Sequence, residues 1–442
     1  MKKRRLRCTV FRILVLVTAL VTGFTACKDE TVITKKEHDP KKPIVLTTYR
    51  PTEGGVREKV LLDGENFGSD PSKIKVFFNN KEAPVISSNG DRIYAMVPRL
   101  PGEICEVKIV VGEQSATYDK TFAYHSVASV TTITGNGTAE FRGGTLAQGQ
   151  VKARYICVDA ESNIFASHRE ETNRVFVRIN ESENVVEALF TSVGATLTPN
   201  APAVDFATGI VTVPDDGVRE KYYTFDPKEG WAPREKRIDN TNDIFSIIDG
   251  GEQRYKYAMS YCSYDNHVYV RYRDGNIVRF NPDTRESEIV YKTNLGPSYG
   301  LCFSTIEPWM LYMSFQSSVS EYGNNICTLD VRDGTFKVIS SGLGAGHVDG
   351  PVEKTRFRDI WQMCFDPEGN LFIGDAGNHC IRMLSPEGIV ETVVGQPGVS
   401  GYQDGGKLDA LFNEPRGVAV DAEGTIFISD FNNARIRKLT IE

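Results

Sequence analysis

Several things the chain lacks narrow its chemistry before any motif is read. Nine cysteines occur in 442 residues, yet none stand in Cys-x-x-Cys spacing. Without Cys8 and Cys27 the remainder is an odd seven, so neither a zinc site nor a disulfide framework is indicated. The six histidines are scattered, with no His-x-x-x-His and no cluster with acids, so no metal and no other cofactor is expected. Glycine-rich Gly342–Gly346 and Gly395–Gly398 precede no helical pattern and lack a Gly-Lys-Ser/Thr ending, which makes them turns rather than phosphate loops. No Gly-x-Ser-x-Gly nucleophile elbow is present, and no catalytic residue is assigned. The apolar run Ile13–Phe24 is only 12 residues long, too short to span a bilayer comfortably.

That run follows Lys2, Lys3, Arg4, Arg5 and Arg7, so residues 1–26 have the n-region and h-region of a secretory signal. It ends in Phe24-Thr25-Ala26-Cys27, which resembles a bacterial lipobox with Cys27 as the lipidated residue; the alternative is an ordinary signal peptide with an incidental cysteine. Buried methylenes contribute ~0.8 kcal/mol each, so a multiply acylated cysteine would hold the chain firmly on a membrane. Lys28-Asp29-Glu30 resembles the surface-export signal of outer-membrane lipoproteins in glycan-harvesting anaerobes. The expected location is therefore the outer membrane, lipid-anchored and at the cell surface. Losing the six basic residues of 1–26 takes the net charge from −7 to −13. A body this acidic repels phosphate backbones, and nucleic acid is not an expected partner.

The length calls for two or three domains. Residues 28–42 are polar, end in Pro40-Lys-Lys-Pro43, and read as a disordered tether. From Pro43 to about Tyr124, short apolar runs alternate with turn clusters in an all-β pattern. Gly64-Glu-Asn66-Phe67-Gly68, followed by Val76-Phe77-Phe78-Asn79 and Val97-Pro98, resembles an IPT/TIG domain, which implies an immunoglobulin-like sandwich. The glycine supplies backbone angles other residues avoid, and the Phe anchors the turn to the core. Such sandwiches serve as spacers and as contact modules alike, so this part implies no chemistry.

The last third states one unit twice. Phe365–Asp375 reappears 55 positions on as Val420–Asp430, and the same offset relates Asp349-Gly350 to Asp404-Gly405, Phe357 to Phe412, and Ile381-Arg382 to Ile436-Arg437. A shared register that includes the loops marks a repeat. Each unit contains about four short strands, the signature of a propeller blade. Asp375, Asn378, Ile381 and Arg382, with Asp430, Asn433, Ile436 and Arg437, resemble the NHL repeat. Val130–Gly135 looks like Val390–Gly395, the outermost strand of the preceding blade. Residues 127–134 are therefore expected to supply the last blade's missing fourth strand and close the ring. Inner strands near Tyr155–Asp159, Pro202–Asp205, Met259–Tyr264, Tyr299–Ser304, Gln362–Asp366 and Gly417–Asp421 give six blades; residues 239–256 and 316–325 fit no strand, which leaves five or seven open.

The expected fold is thus all-β, an immunoglobulin-like β-sandwich followed by a six-bladed β-propeller. The parts are 1–26 signal peptide, 27–42 lipidated Cys and tether, 43–125 sandwich and 126–442 propeller. Aligned on the inner strands, Cys157, Cys262, Cys302 and Cys364 share a position with Ala203 and Ala419, a slot for small side chains packed between blades. Three residues earlier stand Arg154, Asn200, Met259, Tyr299, Trp361 and Arg416. In propellers, ligands bind where the loops gather at one mouth, so these six are the candidate ligand site. Aromatic faces and Arg forks suit a sugar or a carboxylate; the alternative is that Trp361 and Met259 pack and the arginines are solvated or paired. Asp375 and Asp430 are expected to cap the turns that follow them. His168, at their equivalent in the first blade, and His379 are expected to be polar surface.

Two functions follow. The first is a non-catalytic cell-surface binding lipoprotein that presents a propeller face to a glycan or an outer-membrane protein partner in nutrient capture. The alternative is a propeller enzyme of lactonase or lyase type, which the family resemblance brings in, or a protein-interaction scaffold.

Overall fold

The computed structural model describes residues 36–99, 104–170, 173–191, 198–248, 255–292, 298–316 and 322–441. The signal peptide, Cys27 and the export signal lie outside these residues. The chain divides into two compact units, the second holding nearly everything from Ala123 onward.

In the first unit, Val45–Arg50, Lys59–Gly68, Gly90–Met96 and Val85–Ser88 form one sheet; Gln114–Thr117, Val107–Val111, Ile74–Phe78 and Lys81–Ala83 form the other. Successive strand residues point to opposite faces. Val60 and Leu62, Val76 and Phe78, Ile93 and Ala95, and Val107 and Ile109 are accordingly buried on the inner faces. A Cβ on Gly64 would lie 2.4 Å from the Phe67 ring, so glycine there is what lets Phe67 reach the core. Residues 36–42 are not a free tether: Asn66 takes an N–H from Asp39 (2.8 Å) and donates to the carbonyls of Asp39 (3.0 Å) and Lys42 (2.7 Å). One half-buried turn asparagine satisfies backbone that composition alone would leave to solvent.

The second unit contains six sheets, numbered here as blades 1 to 6 by their inner strands. These are Ala153–Val158, Ala203–Val204, Lys256–Cys262, Gly300–Phe303, Ile360–Phe365 and Pro415–Val420. Each blade continues antiparallel outward through three further strands, and blades 5 and 6 add a two-residue fifth, Gly350–Pro351 and Gly405–Gly406, at the outer edge. Inner strands touch in the order 1 to 6, and the sixth returns to the first, so the sheets make a closed ring. Within residues 239–256 the described part holds a short helical turn, Thr241–Ile247, between blades 2 and 3, and Lys256 begins the inner strand of blade 3. The described part of 316–325 lies between the second and third strands of blade 4.

The ring closes through Ala128–Thr134, which runs antiparallel to the final strand Arg435–Ile441, with Ala128 opposite Ile441 and Val130 opposite Leu439. The exposed edge of blade 6 is thereby paired by the start of the same unit. Asp404 accepts the Thr132 N–H at 3.0 Å as Asp349 accepts that of Thr392 at 3.1 Å. Thr132 thus occupies the place that blade 5 fills from its own chain.

Between blades the contacts are apolar, as where Val158, Ala166 and Val177 of blade 1 meet Ala419 and Phe427 of blade 6. Serine hydroxyls on second strands reach the chain entering or forming the next blade's inner strand: Ser167 donates to Asn200 O (2.9 Å), Ser314 to Trp361 O (2.9 Å) and Ser429 to Ala153 O. At the matching place in blade 5, a Cβ on Gly374 would meet Pro415 O at 2.8 Å, so only glycine fits.

The repeated arginines hold the loops that precede each inner strand. Arg437 is fully buried and donates to Asp430 (2.7 Å), Asp404 (2.9 Å) and the carbonyls of Leu411 and Gln403. Arg382 repeats this with Asp375 (3.1 Å), Asp349 (2.6 Å), Arg356 O and Val348 O. Asp375 and Asp430 do not cap the turns after them by backbone N–H groups. Instead they accept the N–H of Arg358 and Asn413, both at 2.8 Å, from loops 17 residues upstream. The buried Arg made that long-range role available, and no local pattern reveals it. Burial pushes Asp375 up to about 6 even against Arg382, and pushes Asp430 in the same direction.

His168 fills the aspartate's place in blade 1 and is not surface: it is wholly buried, and its Nδ1 accepts the Lys152 N–H at 3.0 Å. Burial draws its pKa down to about 4. A neutral imidazole here does what a carboxylate does in blades 5 and 6. His379 likewise reaches into the next blade's loop, accepting the Glu414 N–H at 3.1 Å.

Candidate functional site

The N-terminal ends of the inner strands gather at one mouth of the central channel. The Tyr299 and Trp361 rings lie parallel (7°) with centroids 4.9 Å apart. Tyr155 points inward from the opposite side of the ring and stacks on Tyr299 at 5.3 Å, so it floors the mouth. Burial drives its hydroxyl well above the usual phenol range. Arg416 is held between the Trp361 (4.1 Å) and Phe431 (3.8 Å) rings and pairs with Glu414 at 2.6 Å. Burial lowers its pKa from the ordinary guanidinium value.

Arg154 differs. Its guanidinium lies 5.9 Å from the Trp361 and 5.8 Å from the Phe431 centroid, and its Nε is buried with no acceptor among the described residues. Neighbouring Lys152 pairs with Glu170 at 2.7 Å, and Arg169 contacts Asp216 at 3.5 Å.

Of the six candidate residues the structure brings Arg154, Tyr299, Trp361 and Arg416 together. Asn200 is at the same level but wholly buried, donating to Asp216 (2.7 Å) and Lys256 O (2.8 Å) and accepting from Arg169 (2.6 Å). It positions Asp216, whose pKa burial raises to about 6.

Met259 is not at the mouth. It packs in the apolar cluster between blades 2 and 3 with Ala203, Tyr222 and Val270. In the observed pairing Ser260 faces Tyr269 as Cys157 faces Phe165 and Ala419 faces Phe427. Ser260, not Cys262, therefore holds the small-residue slot in blade 3, and the mouth residue is Tyr257, 4.6 Å from Tyr299. A slip of two leaves the alternation of faces intact, so the pattern gave no warning. Cys157, Cys262, Cys302, Cys327, Cys364 and Cys380 are free thiols.

Below the mouth, Gln362 crosses from blade 5 to blade 1. It accepts the Ile156 N–H (3.0 Å) and donates to Ile156 O (2.7 Å). It passes over Gly417 of blade 6, where a Cβ would lie 3.2 Å from the amide oxygen and 3.0 Å from Ile156. Tyr155, Gln362, Tyr257 and Phe431 were all missed by sequence reasoning. Only Tyr257 left a signal, its place three residues before a small side chain.

Comparison with known proteins agrees with this architecture. Residues 44–124 match the IPT/TIG domain and residues 412–439 the NHL repeat. The chain thus contains an IPT/TIG domain and, within the last blade of its β-ring, an NHL repeat. NHL repeat-containing protein 2 of Gallus gallus is 23% identical over 172 residues, 37% of this chain and 23% of that protein. The chain thus spans about a quarter of that relative's length. A crystal structure of a protein of unknown function from Bacteroides thetaiotaomicron VPI-5482 is 26% identical, with TM-score 0.74, covering 92% of this chain and 100% of its own. An auxiliary nutrient binding protein from the same organism has 23% identity and TM-score 0.58, covering 92% and 99%. At that identity the likeness speaks for the fold alone. No helix among the described residues is long and apolar enough to cross a membrane.

Proposed function

We propose that this protein is a non-catalytic binding protein, lipid-anchored through Cys27 at the outer face of an outer membrane, whose propeller mouth captures a carboxylate-bearing glycan for nutrient uptake. The observation that carries this reading is Arg154. Its Nε is buried with no acceptor among the described residues, and a ligand oxygen would satisfy it. Its planar fork suits a carboxylate or vicinal hydroxyls, and the Tyr299–Trp361 pair beside it offers the flat apolar face on which sugar rings stack. The likeness to a nutrient-binding fold supports the same reading.

The test is retention of fluorescent polyuronate, against neutral glucan, on cells displaying the full chain. Arg154→Ala should weaken polyuronate retention by about tenfold or more, the equivalent of ~1.4 kcal/mol, and Cys27→Ala should release the protein from the cells. Retention of both polymers alike, or an Arg154→Ala variant that binds normally, removes the ligand assignment. A Cys27→Ala protein that stays cell-bound removes the anchor.

A further inference from the structure

The other end of the channel is built differently. Beneath Gln362 it opens into a cavity of ≈ 780 Å³, bounded by the C-terminal halves of the inner strands. That volume lies in the range of small-molecule sites, roughly 300–1,000 Å³. Its walls are mainly apolar, with Ile156, Val158, Val204, Leu301, Phe303 and Val418 contributed by four blades, and Ser260, Ser304 and Thr305 are among the polar side chains between them. The thiols of Cys302 and Cys364 face it and are partly accessible. Gln362 at the floor is occupied by its bonds to Ile156.

The rim carries one sign of charge. It is made by the six turns that join the first and second strands of each blade. Five of the six contribute Asp159, Asp205, Asp265, Asp366 or Asp421, the sixth contributes Glu307, and none contains Lys or Arg. The turns themselves fix these carboxylates: Asp159 accepts the Asn163 N–H (2.9 Å), Asp205 that of Ala207 (3.0 Å), Asp366 that of Asn370 (2.7 Å) and Asp421 that of Thr425 (2.8 Å). Asp265 is compensated by Arg279 at 2.9 Å, but exposed Glu161, Glu368 and Glu423 in the same turns add further charge. The charged residues that line the cavity itself, Asp205 and Asp421, are both acids. Low-dielectric walls beneath a ring of like charges focus the field into the opening.

We propose that this lower cavity is a second ligand site, independent of the upper mouth, and that it takes a small organic cation with an apolar or aromatic body. The body replaces water along the walls while the ammonium stays at the carboxylate rim.

The test uses three probes with one body and different heads, 4-phenylbutylammonium, 4-phenylbutan-1-ol and 4-phenylbutyrate, titrated calorimetrically into the full secreted chain. The ammonium should bind about tenfold or more tighter than the carboxylate at low salt, with the alcohol between them, and the gap should narrow as salt screens the rim. Cys302 and Cys364 locate the binding. Burial raises Cys364 to about 11, so methyl methanethiosulfonate labelling is run at alkaline pH, and the bound ammonium should slow labelling of both thiols. The surface variant Glu161→Lys with Glu307→Lys should reduce the preference for the cation without altering the fold. Equal affinity for the three probes, preference for the anion, no binding by any of them, or thiols left unprotected would each overturn the proposal.

Discussion

Replacing Arg437 with methionine tests whether the repeated arginine holds the propeller together as its geometry requires. Met keeps much of the stem against Phe412, whose ring centroid lies 4.8 Å from the guanidinium, and deletes the charge. Asp430, fully buried, then keeps the Asn413 N–H (2.8 Å) and the Asn433 amide (2.8 Å) but loses its counter-ion. Leu411 O and Gln403 O lose their donor as well. Asp404 is 39% exposed and can turn to water. Removing one partner of a buried pair costs ~3–5 kcal/mol, mostly from the charge left behind.

The loss should depend on pH in a defined direction. Burial already raises Asp430 in the native protein, and without Arg437 it rises further. The native variant therefore holds a proton that the unfolded chain has released, in the window between the ordinary carboxylate value and the raised one. Across that window its stability falls as pH rises, by at most about 1.4 kcal/mol per unit. The deficit relative to the parent is thus largest under alkaline conditions and shrinks on acidification. Urea unfolding followed by fluorescence, compared at about pH 5 and about pH 8 with the slope checked for constancy, measures both quantities. The double variant Arg437→Met with Asp430→Asn should recover about 1–2 kcal/mol at the higher pH, because the stranded charge is gone. A deficit below about 1 kcal/mol, or one identical at both pH values, would refute the reasoning.

Two further outcomes are expected. His168, neutral when folded at about 4 but ordinary when unfolded, contributes stability that is present above the ordinary imidazole value and lost as pH falls toward about 4. His168→Asn should flatten that acid-side loss, which amounts to ~3 kcal/mol, and an unchanged acid-unfolding profile would contradict the buried-neutral assignment. Gly417→Val should destabilise by about 2–3 kcal/mol, since even a Cβ would sit 2.9 Å from Ser429 Cβ and 3.0 Å from Ile156. A Gly417→Val protein as stable as the parent would mean that Gln362 does not cross the channel at that point.

The sequence by itself determined the all-β class, the sandwich and the ring closure. Strand alternation and the 55-residue offset are local or strictly periodic quantities, and both survive in residues such as Thr132 and Thr392. It also brought out four of the mouth residues, because blades 5 and 6 transmit their register to strands that still carry a small side chain at the slot. Only the tertiary structure decided the rest. Met259 and Tyr257 lie on the same alternation, so their places depend on which residue pairs with Tyr269 across the sheet. Tyr155 and Gln362 act on strands half a ring and two blades away, and the lower cavity belongs to no single blade. Such features arise from closing the ring, which brings together side chains far apart in sequence with no periodic relation between them.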